Sequence, residues 1–142
     1  MPKLRYITAM LVVCAFAQAP AWSHHSRAVY DLTRFVKLEG SVLDWQWTAP
    51  HSSLQLSVPD GKGGAAIWDL EGGSPSLLFR YGWRRTDVNI GDKVTVMIRP
   101  LRSGALGGSL SQLTTASGVV RGSLDSPNGQ KRVRAEDEDV KP

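Results

Sequence analysis

Three histidines, His24, His25 and His51, are the only imidazoles in the 142-residue chain. Neutral imidazole is the commonest transition-metal ligand among side chains. Two of the three follow what reads as a removable export signal. Lys3 and Arg5 form its positive start, Ile7 to Ala17 its apolar stretch, and Ala19-Pro20-Ala21 or Ala21-Trp22-Ser23 its small-residue cleavage site. Cutting after Ser23 makes His24 the first residue, so that its α-amine and imidazole chelate one ion, with His25 or His51 as a third ligand. Cutting after Ala21 puts His24 third, and the amine, two backbone amides and the imidazole make a square-planar set. Copper(II) stands at the top of the divalent affinity order for nitrogen sites and is the cofactor this pattern suggests. The plainer alternative is a solvated histidine pair that binds metal only incidentally.

Glu71 is a further candidate. It ends one strand pattern and precedes a helix, where it can ligate a metal or pair with Arg80, Arg84 or Arg85. The ion pair is the favoured reading. No motif sets a second carboxylate against it, so paired acid–base hydrolysis lacks support. Ser26, Ser52 and Ser53 lie near histidines without an orienting carboxylate, which leaves a serine nucleophile unsupported. The one cysteine, Cys14, falls inside the signal, so thiolate chemistry and disulfides are excluded from the mature chain. Trp45 and Trp47 share one strand face near the loop bearing His51 and are the candidate binding surface, whereas at least two of the four tryptophans Trp45, Trp47, Trp68 and Trp83 belong in a core.

The elements that must position these groups follow from alternation. Phe35 to Trp47 is the longest strand pattern. Val36, Leu38 and Val42 share one parity, then Leu43, Trp45 and Trp47 the other, which predicts a β-bulge at Val42-Leu43 and a bend at Gly40. Leu54, Leu56 and Val58 alternate with polar residues, as do Ala66, Trp68 and Leu70, with a glycine-rich turn from Pro59 to Gly64 between them. Ser74-Pro75 opens a short helix and Gly82 stops it in left-handed conformation. Val94, Val96 and Ile98 form the fourth strand and Ser109 to Thr115 the fifth, with Val119-Val120 as an extension. Three strands, a helix and two strands predict a mainly β fold, a small five-stranded OB-like barrel with one short helix between the third and fourth strands. The expected organisation is a signal over 1–23, one domain over 24–120 and a disordered charged tail over 121–142.

Without Lys3 and Arg5 the formal charge of +4 falls to +2, and the basic residues do not gather on one long face, which argues against nucleic acid as partner. No second long apolar run occurs, so no transmembrane segment is expected in the mature chain.

Taken together, His24-His25-Ser26, Asp31, Gly40, Trp47, Pro50-His51, Trp68, Glu71, Ser74-Pro75, Leu78, Gly82-Trp83, Gly91-Asp92, Val94, Pro100-Leu101 and Gly107-Gly108 resemble the pattern of a family of short exported bacterial proteins, the domain-of-unknown-function family DUF6152. The resemblance covers His24 to Val120 and implies an exported small β fold with no established activity. Ala49 stands where that family usually has asparagine, and Arg27 where it usually has an aromatic residue. The expectation is therefore a bacterial periplasmic or secreted, non-enzymatic module that binds a small ligand or protein, with a periplasmic copper-binding protein as the alternative.

Overall fold

The structure is a computed structural model that describes residues 27–123 and 125–127. The signal segment, His24, His25 and the chain from residue 128 lie outside the described residues. Strands β1 (Val36–Gln46), β2 (Ser53–Pro59), β3 (Ala65–Glu71), β4 (Lys93–Pro100), β5 (Gly107–Thr115) and β6 (Val120–Gly122) form one sheet in the order β3-β2-β1-β4-β5-β6. A parallel pairing of β3 with β5, Asp69 to Gly107 through Glu71 to Ser109, closes the first five strands into a barrel. Helix α1 (Pro75–Arg80) is the single α-helix of the described residues and lies between β3 and β4, as the pattern predicts. None of the described helices is long and apolar enough to cross a membrane.

β1 pairs with β2 through one half and with β4 through the other, so it must coil sharply. Two local features allow this. Leu43 is the extra residue of a bulge between Val42 and Asp44. At Gly40 the backbone of β1 comes so close to the Ser57 carbonyl that a Cβ has no room. Helix α1 is short because its punctuation is strong. The Ser74 hydroxyl accepts from the Leu77 amide at 3.3 Å, Pro75 occupies the first turn, and Gly82 turns the chain away with φ +80°. Leu78 and Tyr81 then face the barrel, where they join Val42, Leu54, Leu56, Leu70, Val96, Ile98 and Leu113 around Trp83.

The folded chain runs past the point at which the sequence places a tail. Arg121 and Gly122 pair with Leu113 and Gln112 in β5, and Ser123 and Ser126 are buried. Little apolar surface is involved. Order here comes from polar anchors: the Trp83 indole donates to the Gly122 carbonyl at 2.7 Å, and Arg121 holds Asp87 with bonds of 2.7 and 3.0 Å. β6 thereby covers the part of β5 that β3 does not reach.

Candidate functional site

The bulge in β1 sets which side chains face outward. Asp44 lies opposite Gln55, which lies opposite Asp69; Gln46 lies opposite Ser53, which lies opposite Glu71. These two cross-strand rows floor an open groove of about 1220 Å³ on the outside of the barrel. The β1–β2 loop, with Pro50 and His51, makes one wall, and Leu101 to Ser103 of the β4–β5 loop together with Ala28 to Tyr30 make the other. Ligands of OB barrels lie over strands 2 and 3 between these two loops.

His51 is held in place by its neighbour. Ser52 is fully buried, its amide and hydroxyl donate to the Gly73 carbonyl at 3.0 and 2.9 Å, and its own carbonyl accepts from the Gly72 amide at 2.8 Å. Gly72 has no alternative, because a Cβ there meets the Ser52 hydroxyl. The peptide before Pro50 is cis. The loop thus clamps onto the turn leading to α1 and presents the imidazole to the end of β3, where Nδ1 of His51 lies 3.2 Å from one carboxylate oxygen of Glu71. The Tyr30 hydroxyl donates to the other at 3.1 Å. With Nδ1–H directed at Glu71, the neutral ring carries its lone pair on Nε2.

Glu71 therefore pairs with His51 and Tyr30, not with Arg80, Arg84 or Arg85. The outward parity of β3 turns it into the groove, while the three arginines sit beyond the turn on α1 and the 3-10 turn Arg85–Asp87. Trp45 and Trp47 also differ from expectation. They alternate with Asp44 and Gln46 and so point to the inner side, where Trp45 stacks on Trp83 at 6.1 Å and tilts against Trp47 at 5.7 Å. Both are half-buried against the core, and neither lines the groove. His24 and His25 lie outside the described residues. Among the described residues no three histidine, aspartate or glutamate side chains are grouped to hold a metal ion.

The groove carries the carboxylates of Asp44, Asp69 and Glu71 against one arginine, Arg102, whose guanidinium is engaged by the Ala28 carbonyl at 3.0 Å. Gln46 donates to Asp44 at 2.8 Å and Gln55 to Asp69 at 3.0 Å, so both acids are braced from the side. Tyr30, Asp44 and Asp69 are absent from the candidates that histidine spacing picks out. The signal for the acids was available in the parity of β1 and β3; Tyr30 carries none, because its partner is 41 residues away.

Burial of Tyr30, reinforced by the negative Glu71 beside it, raises its hydroxyl from the ordinary 10 to about 12. A raised folded-state value means that Tyr30 contributes stability fully below about pH 10 and loses it as the pH rises through about 12. Tyr30→Phe is expected to flatten the alkaline limb of a stability-against-pH curve over that window. An unchanged limb would show that the phenol does not report on Glu71.

No curated relative matches the chain. Among solved structures, the yeast mitochondrial single-stranded DNA binding protein Rim1 (S. cerevisiae) is similar at a TM-score of 0.46 and 10% identity, over 58% of this chain and 93% of that one. The family model described as a family of unknown function, DUF6152, matches residues 11–111. That span takes in β1 to β4, the helix and both walls of the groove, and the chain belongs to this family.

Proposed function

We propose that the protein is a non-enzymatic binding module that takes a small cationic ligand in the groove over β1 to β3. One observation carries this reading: Asp44, Asp69 and Glu71 face outward side by side between the two loops, with His51 against Glu71. Adjacent braced carboxylates attract an ammonium or metal cation and repel a phosphate backbone. The tryptophans that would stack bases are turned to the inner side. Titration with spermidine, followed by amide chemical shifts, is expected to move Asp44, Gln55, Asp69 and Glu71 together. Asp69→Asn with Glu71→Gln should weaken binding about tenfold, since each outward-facing charge interaction is worth roughly 0.5–1 kcal/mol. Equal affinity of the double variant, or tighter binding of a polyanion at the same residues, would overturn the reading.

A sharper version, in which the cation is copper, is favoured by the His51–Glu71 contact. A carboxylate on one ring nitrogen fixes the tautomer and raises the basicity of the other, as around metal-bound histidines. His25 precedes Ala28 of the groove wall by three residues, which span at most about 10 Å when extended. An exported chain trimmed to begin at His24 would tether a free amine and two imidazoles within about 14 Å of Ala28, on the groove wall that faces His51. Copper(II) titration of protein starting at His24 is the test. A single additional N-terminal residue, or His51→Ala, should each weaken binding by more than about tenfold. If neither changes affinity, copper is not held there, and the spermidine experiment still decides the groove itself.

A further inference from the structure

The last described residues leave the barrel beside the acidic groove. Ser126 is buried, and its hydroxyl donates to the Gln112 side chain of β5 at 2.8 Å. The Ser123 hydroxyl donates to Asp125 at 2.7 Å, and Asp125 also pairs with Arg27 at 3.0 Å. Arg27 opens the 3-10 turn Arg27–Val29; its carbonyl accepts from the Tyr30 amide at 3.1 Å, and the Tyr30 hydroxyl reaches Glu71. One turn of the groove wall therefore links Asp125 to an acid on the groove floor. Pro127, which is exposed, is the last described residue, and four positions further on the sequence reads Lys131-Arg132-Val133-Arg134.

We propose that Lys131-Arg132-Val133-Arg134 is the groove's own occupant, held over Asp44, Asp69 and Glu71 until a cationic ligand displaces it. Charge and reach carry the inference. Three cations meet three outward-facing carboxylates, and the field of those carboxylates favours the positive sign. Lys131 lies six residues beyond Asp125 and Arg134 nine, spans of at most about 20 and 30 Å. Asp44 and Asp69 stand two interstrand steps apart, about 10 Å. The groove, at about 1220 Å³, is also larger than the roughly 300–1,000 Å³ of ordinary small-molecule pockets, which leaves room for a tetrapeptide. Exposed ion pairs are individually weak, but a short tether raises the local concentration of the basic segment to about the millimolar range. The acidic run Glu136 to Asp139 has the wrong sign for the groove and is the rival partner of the same cations. The inference rests on the cation-binding reading of the groove and adds what regulates it.

The test compares the full chain with a full-length variant carrying Lys131→Gln, Arg132→Gln and Arg134→Gln, by amide chemical shifts and by spermidine titration at low salt. Without spermidine, the amides of Asp44, Gln55, Asp69 and Glu71 should differ between the two proteins, and dilution should leave the difference unchanged. Spermidine should bind the variant at least about threefold more tightly, because it no longer competes with a tethered cation. The gap should close in high salt, where exposed charges are screened. Identical groove amides before spermidine is added would overturn the inference whether or not spermidine binds. If spermidine then moves those four amides equally in both proteins, the cation-binding reading of the groove stands without an internal occupant. If it moves them in neither, both readings fall. A difference that fades on dilution would also overturn the internal contact, since a second copy of the chain would then supply the basic segment. A difference confined to the amides of Glu136 to Asp139 would assign the cations to their own acidic run instead.

Discussion

Trp83→Ala is expected to destabilise the protein by about 3–5 kcal/mol, the range for deleting a fully enclosed large aromatic side chain. Trp83 has no solvent exposure, stacks on Trp45 and follows directly on the glycine that ends α1. Its indole N–H also satisfies the Gly122 carbonyl, so the loss reaches β6 as well as the core. Trp83→Phe separates the two contributions. It keeps most of the ring but removes the donor, and should cost about 1–3 kcal/mol with a selective loss of order in β6. Urea denaturation measures both. A loss below about 1 kcal/mol for the alanine variant would mean that the barrel closes without this ring.

The second large effect is expected at Asp87. Its carboxylate accepts two bonds from Arg121 and one, at 2.7 Å, from the Arg84 amide. Asp87→Ala strands a partly buried guanidinium and opens the Arg85–Asp87 turn, for an expected loss of about 2–4 kcal/mol. Arg121→Ala should cost about 1 kcal/mol less, because Asp87 then keeps the bond from the Arg84 amide, which Asp87→Ala also removes. Amide exchange gives an independent reading. The Ser123 amide, which donates to the Ser111 carbonyl, should lose protection in both variants well before the amides of β2 do. Equal losses for the two substitutions would refute the asymmetry.

Much of the barrel is legible in alternation alone. Leu54, Leu56 and Val58 announce β2; the Val42-Leu43 phase change announces the bulge; Ser74-Pro75 and Gly82 bracket α1. Each of these signals is local, and each states one physical requirement of a few neighbouring residues. β6 is not legible, because Val120-Arg121-Gly122 is too short for a periodic pattern and its order derives from Asp87 and Trp83, 34 and 39 positions away. The site divides in the same way. His51 and Glu71 stand out by type and place, but their contact depends on Ser52 clamping the loop to Gly72-Gly73. Nearness in sequence to Arg80, Arg84 and Arg85 points Glu71 toward the wrong partners, since a turn reverses the chain between them. The tryptophans of β1 mislead for a related reason. Aromatic rings suggest a binding face by type, whereas Trp45 pairs with Leu54 and faces inward with it, and Trp47, just past the end of β1, packs on Trp45.

In β1, β2 and β3 the wall between interior and solvent is a single chain thick, and adjacent letters of the sequence serve opposite sides. Substitution is therefore cheap on the outward letters: Asp44, Gln55 or Asp69 can drift to a new specificity while Leu54, Leu56 and Leu70 go on filling the barrel. Insertion or deletion of one residue within β2 is another matter. It would swap the two alphabets at a stroke, burying Gln55 and expelling Leu54 and Leu56, so ancestry in this segment should be written in replacements, with length changes confined to the hairpin tip around Asp60 to Gly64.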